Sequence, residues 1–543
     1  MSSRITRAYR PGPALFLLLV LSVFASGQVW AGKSGSRTGT KSSCVPKSRT
    51  AKPRTKLSYQ QRNVRRSLVK PKLPPTVSVG EAMKLVRSGN RVLLPTETGA
   101  SQMLLDGLVR RSAGLKGKKP VEVMHTASLL RKASHAEADP TKLRVNALFI
   151  SGGMRKHINK LKVTPTYLGE IPKLLEKKLK PDVVLIKVSP PDRRGYVNTG
   201  TSAGLIADLI SDPKVKVIAE VNPNVPRTRG HTRVHVSHID RMVKSSEKLQ
   251  ELLWAPTTPI DKAIGRNVAK QIPNGSTLQL GIGPLQKAVS EAVAKRGKGI
   301  NKKGGNYKLR IRSEMIDDGL VAMARAGVIS RSKNAIQLGF AVGSQKLYDF
   351  LGGDRRVKMV ATRQINDVME AGKRNKMMAI NSGVAIDLYG QACSEMIPRK
   401  GPDGKVRPVP YSGVGGQVDF FRAIQRSRGG QGFLTMRSTA KSGQLSTISL
   451  DLPRGLVVTT NRYDMDRVAT EWGVTPSLRG MDVAARAQAL IRVAHPKFRS
   501  DLAKQGMDRF GGDVASWNKA ARATRTELAL ARTWAKQGAK AKK

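Results

Sequence analysis

Short runs of branched apolar residues alternate with helix-like patterns twice over, and this rhythm constrains the fold of the 543-residue chain more than any other feature. In the first stretch, Ser78 to about Asp240, RVLLP (Arg91 to Pro95) and DVVLIKVS (Asp182 to Ser189) read as strands. TSAGLIADLI (Thr201 to Ile210) reads as a helix, and VKVIAE (Val215 to Glu220) as another buried strand. Strands alternating with helices predict a parallel sheet. Asn222-Pro223-Asn224-Val225-Pro226 ends the pairing, and a loop at a strand's carboxyl end is a usual place for chemistry. The segment from Arg241 to about Asp261, with its APTTP run (Ala255 to Pro259), reads as a crossing into a second half. There STLQLGIG (276–283), AIQLGFAVG (335–343), MMAINSGVAIDL (377–388), GFLTMRS (432–438), STISL (446–450) and GLVVTT (455–460) supply strand-like pieces. The fold class is therefore α/β, as two tandem open sheets with helices packed around them.

Charge narrows the possible partners without choosing among them. Lys+Arg 97 against Asp+Glu 38 leaves +59, which predicts attraction to nucleic acid, an anionic surface or a phosphorylated cofactor. Aromatic content of 4% argues against a stacking platform for single strands. Cys44 and Cys393 make neither a disulfide framework nor a metal cluster. The pairs His231/His235 and His235/His238 lack the thiolate or carboxylate companions of a zinc site, so no metal is expected.

The termini read as appendages. Arg4, Arg7 and Arg10 precede an apolar run from Ala14 to Ser26, the layout of a secretory signal over 1–31 that is too short for a membrane span of about 20 residues. Export to a periplasmic or extracellular setting is the expectation. A mitochondrial transit peptide or a cytoplasmic location is the alternative, since the first acidic residue is Glu81. Residues 32–75 hold 13 Lys or Arg and no acid, which predicts a disordered basic arm. Folded domains are expected at 76–250 and 256–502, followed by a basic helical tail at 503–543 that begins as a helix and frays.

Two glycine-rich turns carry the chemistry. Leu280-Gly281-Ile282-Gly283 ends a strand ahead of the helical stretch Ala288 to Val293, so amides there could meet phosphate or an oxyanion; an ordinary tight turn is the plainer reading. Gly413-Val414-Gly415-Gly416-Gln417-Val418-Asp419-Phe420 sets three glycines before an amide and a carboxylate, permitting close approach of backbone to a ligand. Glu314, Asp317 and Asp318 of SEMIDDG precede the helix-like GLVAMARAG; complementing its dipole is the reading for Asp317 and Asp318 and only the plainer alternative for Glu314.

The order of segments resembles the acetyl-CoA hydrolase/transferase family, including its 4-hydroxybutyrate and acetate CoA-transferases. Those segments are VSPPDRRGY (188–196), AEVNPNVPRTRG (219–230), LGIG, SEMIDDGLV, INSGVAIDLYGQ (380–391), GVGGQVDF, STAKSG (438–443) and VVTTNRYDMDRVATEWG (457–473). The resemblance implies two CoA-transferase-like sheets, with Glu314 attacking an acyl-CoA thioester to form a glutamyl-CoA thioester. It also implies that Gly281, Ile282, Gly283, Gly413, Gly415 and Gly416 line the CoA site, that Lys441 meets a CoA phosphate, and that Asn381 and Gln417 surround the acyl carbonyl. CoA and a small carboxylic acid such as acetate would be substrates, with no permanently bound cofactor; a homo-oligomer is expected.

The chain departs from the family pattern in three places. Pro284-Leu285-Gln286-Lys287 replaces the usual turn, a basic insertion at 295–310 would sit over the CoA entrance, and TETGASQM (96–103) lacks a proline beside the acyl pocket. CoA transfer is the leading function. Thioester hydrolysis is its nearest alternative, and an exported, non-catalytic polyanion-binding protein is the alternative from another class.

Overall fold

The computed structural model describes residues 72–540, apart from 211, 401, 402 and 404. The expected signal segment, nearly all of the basic arm and the last three residues lie outside the described residues.

Seven parallel strands form the first sheet: β1 (Arg91–Leu94), β2 (Val121–Thr126), β3 (Leu143–Phe149), β4 (Leu161–Val163), β5 (Val183–Val188), β6 (Lys216–Val221) and β7 (Arg241–Lys244), in the order β4-β3-β2-β1-β5-β6-β7. Every residue of β5 is buried, as expected for a parallel strand covered on both faces. Between β1 and β2 runs α1 (Gln102–Ala113), capped by the Ser101 hydroxyl, which accepts from the Leu104 N–H at 3.0 Å.

The second half opens with α2 (Pro259–Gln271), whose Thr258/Asp261 capping box and Pro259 at the first helical position fix its start. Its eight-stranded sheet comprises β8 (Thr277–Leu280), β9 (Arg310–Ile316), β10 (Ile336–Ala341), β11 (Val357–Met359), β12 (Met377–Ser382), β13 (Gln431–Thr435), β14 (Arg467–Thr470) and β15 (Gly473–Val474). The order is β11-β10-β9-β8-β12-β13-β14-β15. Both sheets therefore start in the middle, step outward through three strands, return across the first strand and continue on the far side. Only the closing β14–β15 pair of the second sheet is antiparallel.

The halves share their cores. Phe340 of β10 packs with Leu168 and Ile171 of the first half, and Ala203 and Val225 pack into the second. Backbone pairing reinforces this: Ala203 N–H donates to the Gly339 carbonyl at 3.0 Å, and Ala341 N–H to the Thr201 carbonyl at 2.9 Å. These bonds hold the start of the 201–210 segment extended, so only Ile206–Leu209 is helical where a longer helix was expected.

Three other expectations are corrected. Residues 455–460 form no strand; Val457 and Val458 are exposed, and Thr460 alone makes an isolated bridge, to Ala392. The basic insertion extends α3 (Pro284–Lys302) and the turn into β9. It therefore stands at the amino-terminal edge of the sheet, where Asn274 bonds the backbone of Asn306 and Lys308, and not over the glycine turn that follows β8. Glu314 lies within β9, whereas α4 (Gly319–Arg325) begins only after Asp318, so Glu314 is a strand residue and not a helix-start acid.

Past α5 (Gln417–Ile424) and α6 (Val483–Arg492), α7 (Pro496–Phe510) runs through the expected 502/503 boundary. The tail beyond it docks. Trp517 of α8 (Val514–Ala521) is 1% exposed and packs with Leu502 and Ala503. Arg499 holds Glu527 of α9 (Arg525–Lys540) at 2.7 Å.

Candidate active site

Alternation along β9 puts Arg312 and Glu314 on one face, and both are almost wholly buried. Glu314 Oε2 accepts from Asn366 Nδ2 at 2.7 Å, and Oε1 accepts from the Gly416 N–H at 3.1 Å. The second donor is aimed by the glycine turn. Gly415 has φ +58, a left-handed conformation that glycine adopts at no steric cost, and Gly416 then presents its amide as the N-cap of α5. A Cβ at Gly416 would stand 1.7 Å from Glu314 Oε2, so only glycine lets the backbone approach this closely.

Asn366 is shared between two acids. The same Nδ2 donates to Asp419 Oδ2 at 3.0 Å, and that oxygen also accepts from the Gly169 N–H at 2.9 Å. Burial raises the Glu314 pKa from 4.5 to about 7. The Asn366 hydrogen bond opposes that rise, the Asp419 charge adds to it, and the Gly416 N–H opposes it again. Burial likewise raises Asp419 to about 6. Glu314 therefore carries a poorly hydrated carboxylate near neutral pH, fixed in orientation by two donors.

A narrow cavity opens over this carboxylate. Its walls come from both halves: Thr126, Leu148, Phe149 and Leu168 from the first, Met315, Phe340 and Gly415 from the second. Leu168 N–H donates to the Gly415 carbonyl at 3.0 Å, stitching the glycine turn to the first half. A Cβ at Gly413 would meet the Phe149 ring at 2.9 Å.

A second, open cleft lies where strand order reverses, between β8 and β12, the usual ligand position in open α/β sheets. Ile282, Gly283, Gln286, Gly383, Arg437 and Thr439 line it. Gly283, at φ +115, delivers the chain to Pro284 at the first position of α3, which accounts for the altered turn. Gln286 Nε2 reaches back to the hydroxyls of Ser382 at 2.8 Å and Thr435 at 3.2 Å. Arg437 makes a bidentate pair with buried Asp261, both N···O distances 2.9 Å. Lys441 is exposed on the turn between Thr439–Ala440 and Leu445–Ser446, in a hairpin flanking this cleft.

The glycines expected to share one site thus divide. Gly415 and Gly416 belong with Glu314, whereas Ile282 and Gly283 line the cleft, and the Gly281 N–H is taken by the Ile380 carbonyl at 3.0 Å. Asn381 and Gln417 have their amides occupied elsewhere. Asn381 exchanges hydrogen bonds with Gln279 at 2.9 and 3.1 Å, and Gln417 Nε2 donates to Ser394 and Thr460. The TETGASQM turn stands behind the cavity wall, with Glu97 N–H donating to the Ala127 carbonyl at 3.1 Å. Glu97 is buried at φ +49, and burial raises its pKa to about 8. Asn366, Gly169 and Phe149 escaped the sequence reading. Asp419 stood in a quoted motif, and its nearness to Gly416 was the signal that could have found it.

Known proteins match this arrangement over most of the chain. Residues 60–253 match the acetyl-CoA hydrolase/transferase N-terminal domain, and residues 343–506 the C-terminal domain. The chain is 38% identical to a 4-hydroxybutyrate coenzyme A transferase of Clostridium kluyveri over 442 residues, 80% of this chain and 97% of that one. It is 34% identical to a succinyl-CoA:cyclohexane-1-carboxylate CoA transferase of Geobacter metallireducens, over 81% of this chain and 97% of that one. The solved 4-hydroxybutyrate CoA-transferase of Porphyromonas gingivalis superposes with a TM-score of 0.63 at 28% identity, covering 80% of this chain and 98% of that one. With both domains matched and two relatives covered almost end to end, this chain belongs to the acetyl-CoA hydrolase/transferase family.

Proposed function

We propose that this protein moves CoA between an acyl-CoA and a carboxylic acid through a glutamyl-CoA thioester on Glu314. The observation that carries the reading is a buried carboxylate, held by Asn366 and Gly416, forming the floor of an apolar cavity. A Glu314 oxygen attacks the thioester carbon, the C–S bond breaks, and CoA leaves as thiolate, giving a mixed anhydride. The thiolate then attacks the glutamyl carbon and expels the acyl group as a carboxylate. An incoming acid reverses both steps. When the glutamyl carbon is tetrahedral its oxygen bears the charge, and the Asn366 and Gly416 donors already point at that carboxyl. Burial of Glu314 limits water at two hydrolysable intermediates, which favours transfer over hydrolysis. The open cleft beside Gly283, with Lys441 on its flank, is the place for the nucleotide end of CoA.

Intact mass after incubation with acetyl-CoA tests the reading: a CoA adduct is expected on the wild type and not on Glu314→Ala. Absence of any Glu314-dependent adduct with acetyl-CoA or butyryl-CoA overturns it. Acetate added after butyryl-CoA should yield acetyl-CoA; free CoA instead assigns hydrolysis.

A further inference from the structure

The cavity above Glu314 differs in character from the rest of the molecule. In a chain with 97 Lys and Arg, no basic side chain lines it among the described residues, and Glu314 is the one ionisable residue among those described at its wall. Six apolar side chains, Leu148, Phe149, Leu168, Ile171, Met315 and Phe340, make most of the surface. The two threonines at the wall have already placed their protons: Thr126 donates to the Leu94 carbonyl at 2.8 Å and Thr166 to the Tyr167 carbonyl at 3.3 Å. Arg422, whose guanidinium lies over the Tyr167 ring, is tied to Asp464 at 3.1 Å. The free space is only about 20 Å³, so a thioester carbon poised at the Glu314 carboxylate would part these walls to lay its acyl chain along them.

We infer that this cavity takes a short, uncharged acyl chain and rejects one bearing a second carboxylate, with Phe149 and Thr166 at the wall setting the choice. The inference rests on the CoA-transfer reading above. A distal carboxylate here would lose its water, meet no basic side chain and no uncommitted hydroxyl among the described wall residues, and face the negative charges of Glu314 and Asp419. An alkyl chain meets only apolar contacts. The Phe149 ring bounds the cavity by packing against Gly413 and reaching within 4.0 Å of a Cβ position at Gly415. Its truncation therefore lengthens the space without adding charge.

Glu314 labelling of the full-length protein by butyryl-CoA and by succinyl-CoA, followed by intact mass, tests this. Labelling by butyryl-CoA is expected to be at least about 100-fold faster. Thr166→Arg should lower that ratio by about tenfold, and Phe149→Ala should shift preference from butyryl-CoA toward hexanoyl-CoA. Rates for butyryl-CoA and succinyl-CoA within about threefold on the unmodified protein overturn the selectivity while leaving CoA transfer standing. Labelling by neither thioester overturns the transfer reading and this inference with it.

Discussion

A methyl group on Gly416 would come within 1.7 Å of Oε2 of Glu314. Gly416 itself has φ −99, so alanine is unstrained in its backbone, and the conflict is with the Glu314 carboxylate and with Asn366 Nδ2, which would stand 2.3 Å away. Gly416→Ala should displace the Glu314 side chain from the cavity floor and slow adduct formation by about 100-fold or more. The cost in stability should be only about 1–3 kcal/mol. Single-turnover labelling beside a thermal melt separates the two effects.

The acidity of Glu314 predicts how stability depends on pH. Its folded pKa is raised from 4.5 to about 7, so between these values the folded state keeps a proton that the unfolded chain has lost. The stability this group allows is intact below the lower value and is lost as pH rises through the upper one. Glu314→Gln removes that loss. The variant should gain on the order of 2 kcal/mol relative to wild type on going from about pH 4.5 to about pH 8, read by denaturant unfolding.

The proposed attack requires the ionised carboxylate, so labelling rates should fall on the acid side with a limb centred near pH 7. Asn366 lowers the Glu314 pKa and Asp419 raises it. Asn366→Ala should therefore move the limb upward, and Asp419→Asn should move it downward. A structural defect alone would lower rates without moving the limb in opposite directions.

Arg437→Ala removes the guanidinium from Asp261, which has no exposed surface. An uncompensated buried carboxylate is expensive, and because the Arg437 side chain is 46% exposed the loss should be about 2–3 kcal/mol. Chemical denaturation measures it. Rescue by Asp261→Asn in the double variant would assign the effect to the stranded charge.

The strand alternation was legible in the sequence because parallel strands covered on both faces read as continuous apolar runs, and β5 and β6 fall where those runs do. Glu314 was legible only through the order of its neighbours; nothing in SEMIDDG itself says strand. Asn366 left no trace, because it lies 52 residues from Glu314 and follows a four-residue helical turn without a motif. Asn381 and Gln417 are the converse case. They stand beside motif residues, yet one is bonded to Gln279 on the neighbouring strand β8 and the other to Ser394 and Thr460. Local sequence reports which side chains are polar and not which partners the fold has given them.

The Leu168–Gly415 hydrogen bond closes the seam between two copies of one topology, and Glu314 faces that seam. Neither copy encloses the carboxylate unaided. Its burial is therefore a joint property: widening between the copies would readmit water and return the acid toward its ordinary strength.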